Sequence, residues 1–272
     1  MDIATLASIT GLLLATGAFA GVLAGLLGVG GGVVLVIAFL YAFRATGFDG
    51  PDVMQICLAT SLATVIVTSV RSVVAHNRKG AVEWPILRSW APFLALGAGV
   101  GVVVAVNLQS KTLQLIFAIL AAFLGLYMAV GRSSWRVGQT FPTGTVGRLG
   151  ASILGLLSVL MGIGGGSFGV PLMTLFGVPV HRAVATAAGF GVAIAGPSVV
   201  AFLFVPVEPP IPPLTIGAVN LVALAIIIPV TALTTPLGVA LAHRLPAQHL
   251  KRGFGVFLLL VAANMFREVW WA

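Results

Sequence analysis

Charge is scarce in this sequence. Only 7% of its 272 residues are Asp, Glu, Lys or Arg, against about 25% in soluble domains. So little charge cannot cover a water-facing surface, which argues against a soluble globular protein. Acids are rarer still: Asp2, Asp49, Asp52, Glu83, Glu208 and Glu268 are the whole set, and each lies at the end of an apolar run or between runs. A carboxylate relay inside a membrane is therefore not expected. Cysteine occurs once, as Cys57, which excludes an intrachain disulfide and a cysteine metal cluster. The histidines, His76, His181, His243 and His249, read as loop residues, and no Ser–His–acid set accompanies them. No enzyme, metal site or cofactor is expected. The N-terminus also lacks the basic stretch of a signal peptide, since Asp2 is acidic and the first Lys or Arg is Arg44. The opening apolar run is expected to be retained.

What is present is apolar. Hydrophobic residues make up 59% of the chain and mean hydropathy is +1.15. Such a chain needs lipid as its solvent, where the backbone must satisfy itself inside helices. The net charge of +8 does not point to nucleic acid, because the basic residues form no face. They cluster between apolar runs, as in cytoplasmic loops.

The apolar runs fall at roughly 3–27, 33–43, 52–75, 85–106, 112–130, 149–161, 167–178, 183–204, 214–241 and 248–266. A membrane-crossing helix needs about 20 residues. The runs at 33–43, 149–161 and 167–178 are too short to cross alone. The chain also repeats itself. Gly28-Val29-Gly30-Gly31-Gly32 returns as Gly162-Ile163-Gly164-Gly165-Gly166, and Leu58-Ala59-Thr60-Ser61 as Val184-Ala185-Thr186-Ala187. Two membrane repeats, 1–131 and 149–272, with a cytoplasmic linker at 132–148, are the expected organisation.

The positive-inside rule places the basic segments 76–84, 132–148 and 243–252 inside. Both termini then fall outside. The pair 149–178 starts and ends inside, so it reads as a hairpin with its glycine run at the tip, and 3–43 as the matching hairpin from the other side. Run 3–27 is itself long enough to cross, so the first hairpin can be re-entrant or fully spanning. The fold class expected is an all-α integral membrane protein of two inverted repeats. Each repeat is a glycine-tipped hairpin of short helices plus three transmembrane helices, the plan of many transporters.

The paired glycine runs are the candidate site. Each precedes a short helix, and a helix N-terminus offers free N–H groups and partial positive charge. Gly30, Gly31, Gly32, Gly164, Gly165 and Gly166 could hold an anion without a buried cation, or could simply allow close packing. The ladder Thr60, Thr64, Thr68 has helical spacing with Ser61 alongside. Thr60, Ser61 and Thr186 could donate to the same anion, or bond their own i−4 carbonyls. Arg71 is the most deeply placed cation; it either guides anions or snorkels to headgroups. Gly97, Gly99 and Gly101 read as packing residues. Gly164-Gly165-Gly166-Ser167-Phe168-Gly169 fits the dinucleotide-loop pattern, but no strand precedes it and no acid follows about 20 positions on.

At these residues the chain resembles the sulfite exporter family of the TauE/SafE type, also called the 4-toluene sulfonate uptake permease family. The resemblance rests on the two glycine runs, each near an Ala-Thr step. Val170-Pro171-Leu172, and His76-Asn77-Arg78-Lys79-Gly80 followed by Val82-Glu83-Trp84, add to it. Ile37 stands where the second half has Pro171, and Ala187 where Ser61 predicts a serine. The resemblance implies a transporter in the cytoplasmic membrane for sulfite, thiosulfate or an organosulfonate; it leaves the direction open, and export is the one expected. An anion channel and a helper subunit without substrate are the alternatives. The partners expected are that small anion, the bilayer, and a second copy of the chain in a homodimer.

Overall fold

The computed structural model describes residues 3–27, 31–131, 135–138, 140–242 and 247–271. It is helical almost throughout. The order is α1 (Ile3–Leu27), α2 (Gly32–Ala45), α3 (Val53–Asn77), α4 (Trp84–Val106), α5 (Ser110–Val130), α6 (Gly144–Leu160), α7 (Gly166–Leu175), α8 (Val180–Phe202), β1 (Thr215–Ile216), β2 (Val219–Asn220), α9 (Leu221–Ala242) and α10 (Ala247–Trp271). Among the described residues, six helices are long and apolar enough to cross a bilayer: α3, α4, α5, α8, α9 and α10. These are the six long runs after the first. At 17 residues α6 is shorter, about 25 Å at 1.5 Å per residue, and α7 has only 10 residues.

Three boundaries differ from expectation. Residues 215–220 form a two-stranded antiparallel hairpin ahead of α9 rather than its first turns. Gly217 turns it at φ +55°, and three prolines at 210, 212 and 213 forbid helix just before it. Helix α6 starts at Gly144, so Arg148 belongs to a helix rather than to the linker; its guanidinium lies 5.3 Å over the Phe93 ring. His76 and His181 lie within α3 and α8 rather than in loops. His76 is 1% exposed, while His181 is exposed. His243 lies outside the described residues.

The most extensive helix pairings are the same when the halves are exchanged. α1 packs on α9 as α6 packs on α4; α3 on α9 matches α8 on α4; α2 on α3 matches α7 on α8; α3 packs on α8 and α5 on α10. Small residues permit the close crossings. A Cβ at Gly97 would lie 1.8 Å from Ser152 O, and one at Gly155 would lie 2.2 Å from Leu94 O. On the α1–α9 crossing, one at Gly25 would lie 2.1 Å from Thr235 O. Gly99, by contrast, has nothing within 4 Å of its Cβ position, so of the three expected packing glycines only Gly97 and Gly101 lie at a crossing. Directions follow from which residues meet. Gly131 meets Lys251 and Gly125 meets Leu258, so α5 and α10 run antiparallel. Gly21 meets Thr231 and Gly25 meets Val239, so α1 and α9 run parallel, as α4 and α6 do.

The buried centre is α3, with Met54, Ile56, Cys57, Leu58 and Leu62 almost inaccessible. Phe39 of α2, Phe117 of α5 and Phe190 and Phe202 of α8 are buried as completely. Large apolar side chains such as Phe123, Leu126, Leu233 and Leu260 are exposed, as lipid-facing positions require.

Candidate functional site

The α6–α7 turn is built by glycine. Helix α6 closes with Gly162 N–H donating to Val159 O (2.8 Å) and Ile163 N–H to Ser158 O (2.9 Å). This is a Schellman closure, which needs a left-handed residue; Gly162 supplies it at φ +60°. Helix α7 then opens with Gly169 N–H to Gly165 O at 2.7 Å. Between these bonds, the N–H groups of Gly164, Gly165, Gly166, Ser167 and Phe168 have no backbone acceptor among the described residues. Free N–H groups are normal at a helix start. Here, however, residues 161 to 167 are all buried, where unpaired polar groups are costly.

The two tips meet. A Cβ on Gly32 would lie 2.4 Å from Gly162 O and 2.9 Å from Ile163 Cα. Ser61, fully buried on α3, stands between them, with its hydroxyl 2.7 Å from Gly162 O and 3.1 Å from Gly32 O. Gly31 sits at φ +69° ahead of α2, and a Cβ there would lie 2.3 Å from Ala20 O. Gly30 lies outside the described residues. Gly165 packs on Phe190 of α8, where a Cβ would lie 2.3 Å from the Phe190 Cβ. Gly164 approaches Gly191, beside Ser69. The structure thus gathers Gly32, Ser61 and the 162–166 turn into one place.

Thr60 and Thr186 turn to other work. Thr60 Oγ1 accepts from Asn220 N–H at 3.0 Å, and Thr186 Oγ1 accepts from Glu83 N–H at 2.9 Å. Asn220 and Glu83 immediately precede α9 and α4. Each threonine therefore holds a helix start in the opposite half. Thr186 also donates to Arg182 O at 2.7 Å.

The hydroxyl ladder on α3 is longer than Thr60, Thr64 and Thr68. At 100° per residue, Ser61, Thr64, Thr68, Ser69, Ser72 and His76 share one face, and all six are buried. Thr64 donates to Ser61 O at 2.6 Å and Thr68 to Thr64 O at 3.2 Å. Thr60 lies off this stripe. Three buried hydroxyls find no partner among the described residues: Ser72 on α3, Ser158 on α6 and Ser167 on α7. None of the three was a sequence candidate. Ser167 stood directly behind a glycine run, which was the available signal.

Arg71 is exposed, and its Nε and Nη2 donate to Ala232 O of α9 at 3.2 and 3.0 Å. The acceptor is free because residue 236, four positions on, is a proline without an N–H. No group of three or more His, Cys, Asp or Glu suited to a metal occurs among the described residues.

The profile of the family described as "Sulfite exporter TauE/SafE" matches residues 13–265. The chain belongs to the sulfite exporter TauE/SafE family. A Haemophilus influenzae protein described as "Probable membrane transporter protein" is 31% identical over 94% of this chain and 97% of its own length. A Methanocaldococcus jannaschii protein of the same description is 27% identical over 88% of this chain and 89% of its own. A third, from Bacillus subtilis, is 28% identical over 64% and 71%. No solved structure matches. The TauE/SafE chain is a multi-pass membrane transporter and not an enzyme.

Proposed function

We propose that this TauE/SafE chain carries a sulfur oxyanion, sulfite or an organosulfonate, out of the cell across the cytoplasmic membrane. The anion is held where the two glycine tips meet. The observation that carries this reading is the run of five N–H groups, Gly164 to Phe168, without a backbone acceptor among the described residues, directly after the point where Gly162 and Ile163 meet the first tip. An oxyanion stripped of water must regain donors on several sides. N–H groups at a helix start supply them, each contributing about 1.5–3 kcal/mol to a charged partner. They do so without a buried cation that would trap the anion.

Ser61 locks the first tip onto the second through the Gly32 and Gly162 carbonyls. The buried stripe from Ser61 to His76 offers a polar track about 22 Å long, at 1.5 Å per residue, from the tips to one end of α3. Thr60 and Thr186 fix the starts of α9 and α4 around this centre. The family's name supports sulfite, the exchange-symmetric pairing with antiparallel α5 and α10 supports inverted repeats, and the basic segments between the apolar runs support both termini outside. With no acid buried among the described residues, transport runs down the anion gradient and the membrane potential, about 2.3 kcal/mol per charge per 100 mV. The test is uptake of labelled sulfite into proteoliposomes holding the purified protein. Accumulation above empty liposomes, increased by an inside-positive potential, is expected; flux equal to empty liposomes rejects the reading.

A further inference from the structure

We propose that Ser167 is a substrate-contacting residue, and that the site it completes takes an oxyanion carrying a single negative charge. This rests on the transport reading above and narrows its substrate. Ser167 is 0% exposed, and its hydroxyl finds no partner among the described residues. A buried hydroxyl left so is destabilising, and native proteins rarely tolerate it without a ligand or water. Its position gives the hydroxyl a direction. Ser167 is the second residue of α7, and a helical Cα–Cβ bond tilts toward the helix N-terminus. The hydroxyl therefore leans toward the same turn that exposes the N–H groups of Gly164 to Phe168. One O–H and five N–H donors lie at the start of a ten-residue helix.

The charge of the ligand follows from what surrounds it. No Lys or Arg among the described residues is buried, so every donor at the tip is neutral. The cost of moving an ion into a low-dielectric interior rises with the square of its charge, while neutral donors return energy in proportion to the charge. A neutral cradle that suffices for one charge falls short for two. Hydrogensulfite and a simple alkanesulfonate fit; sulfate and the sulfite dianion do not.

The experiment measures thermal unfolding of the purified protein with sodium methanesulfonate or sodium sulfate at matched ionic strength. Wild type, Gly99→Ala and Ser167→Thr, which keeps the hydroxyl, should gain stability with methanesulfonate. Ser167→Ala should need roughly ten- to a hundredfold more methanesulfonate for the same gain. Without ligand it should be no less stable than wild type, since it removes an unsatisfied group. Sulfate should act on wild type and Ser167→Ala alike, as an excluded salt does. An Ser167→Ala response to methanesulfonate equal to wild type would overturn the proposal, leaving a hydroxyl that holds only a buried water. So would a wild type that methanesulfonate does not stabilise, or a sulfate response that Ser167→Ala abolishes. The methanesulfonate pattern without labelled-sulfite flux in proteoliposomes would sink the transport reading and overturn Ser167 as a substrate contact, leaving a monoanion site that carries nothing across.

Discussion

Replacing Arg71 by Met should destabilise the protein only while Pro236 is present. Arg71 places two N–H groups on Ala232 O, a carbonyl that would otherwise accept from residue 236. Pro236 has no N–H to give, so the arginine substitutes for a missing backbone hydrogen bond. Arg71→Met keeps most of the apolar stem and removes the donors. An acceptor left without a partner costs about 1–3 kcal/mol. Because Arg71 is exposed, screening by solvent puts the cost in the lower part of that range, about 1–2 kcal/mol. Pro236→Ala restores an N–H four residues from Ala232 and removes a residue that disfavours helix interiors by up to about 3 kcal/mol. That variant should be more stable than wild type. In its background Arg71→Met should change stability by no more than about 0.5 kcal/mol. Thermal unfolding of the four proteins in detergent gives the cycle directly, with about 2–4 °C expected per kcal/mol at this size. An equal fall in midpoint in both backgrounds would show that Arg71 works through some other contact.

Four further outcomes are expected. Gly32→Ala should insert normally but lose most sulfite flux, because its Cβ would lie 2.4 Å from Gly162 O and must part the two tips; wild-type flux in proteoliposomes would contradict that. Thr60→Ala and Thr186→Ala should each lower stability by about 1 kcal/mol, as loss of a helix-start acceptor does, while leaving the half-saturation for sulfite unchanged. Exchanging each acid for its amide should leave flux standing at normal expression, and complete loss at any one acid would refute uncoupled transport. With Cys57 changed to Ala, a cysteine at position 140 should resist impermeant thiol reagents in intact cells and react in inverted vesicles; labelling from outside would reverse the orientation.

The six long helices were legible because apolar length alone marks a membrane span. The hairpin at 215–220 was not, because Leu214, Ile216 and Val219 read as the start of the apolar run 214–241, although the prolines just before them forbid helix there. His76 read as a loop residue because Asn77, Arg78 and Lys79 follow it, yet it fills the last buried turn of α3. The glycine tips were visible as a repeat. Which hydroxyls would join them was not. Thr60 and Ser61 are adjacent in sequence, and periodicity does not say which faces the tips until α9 is in place to claim Thr60. Ser158 and Ser167 stand out only by having no partner, a property of the assembled interior that no local pattern carries.

The threonine links across the halves bear on how the protein is made. The N–H of Glu83 waits for a hydroxyl 103 residues later in the chain, and Thr60 waits for an N–H 160 residues later. When the first half leaves the ribosome, the start of α4 has no acceptor and Thr60 has nothing to accept. Neither half can reach its final form alone, so assembly must be a late event in which both close together. Two separate chains cut within 132–148 should therefore each be unstable when synthesised singly, and should rescue one another when synthesised in the same cell.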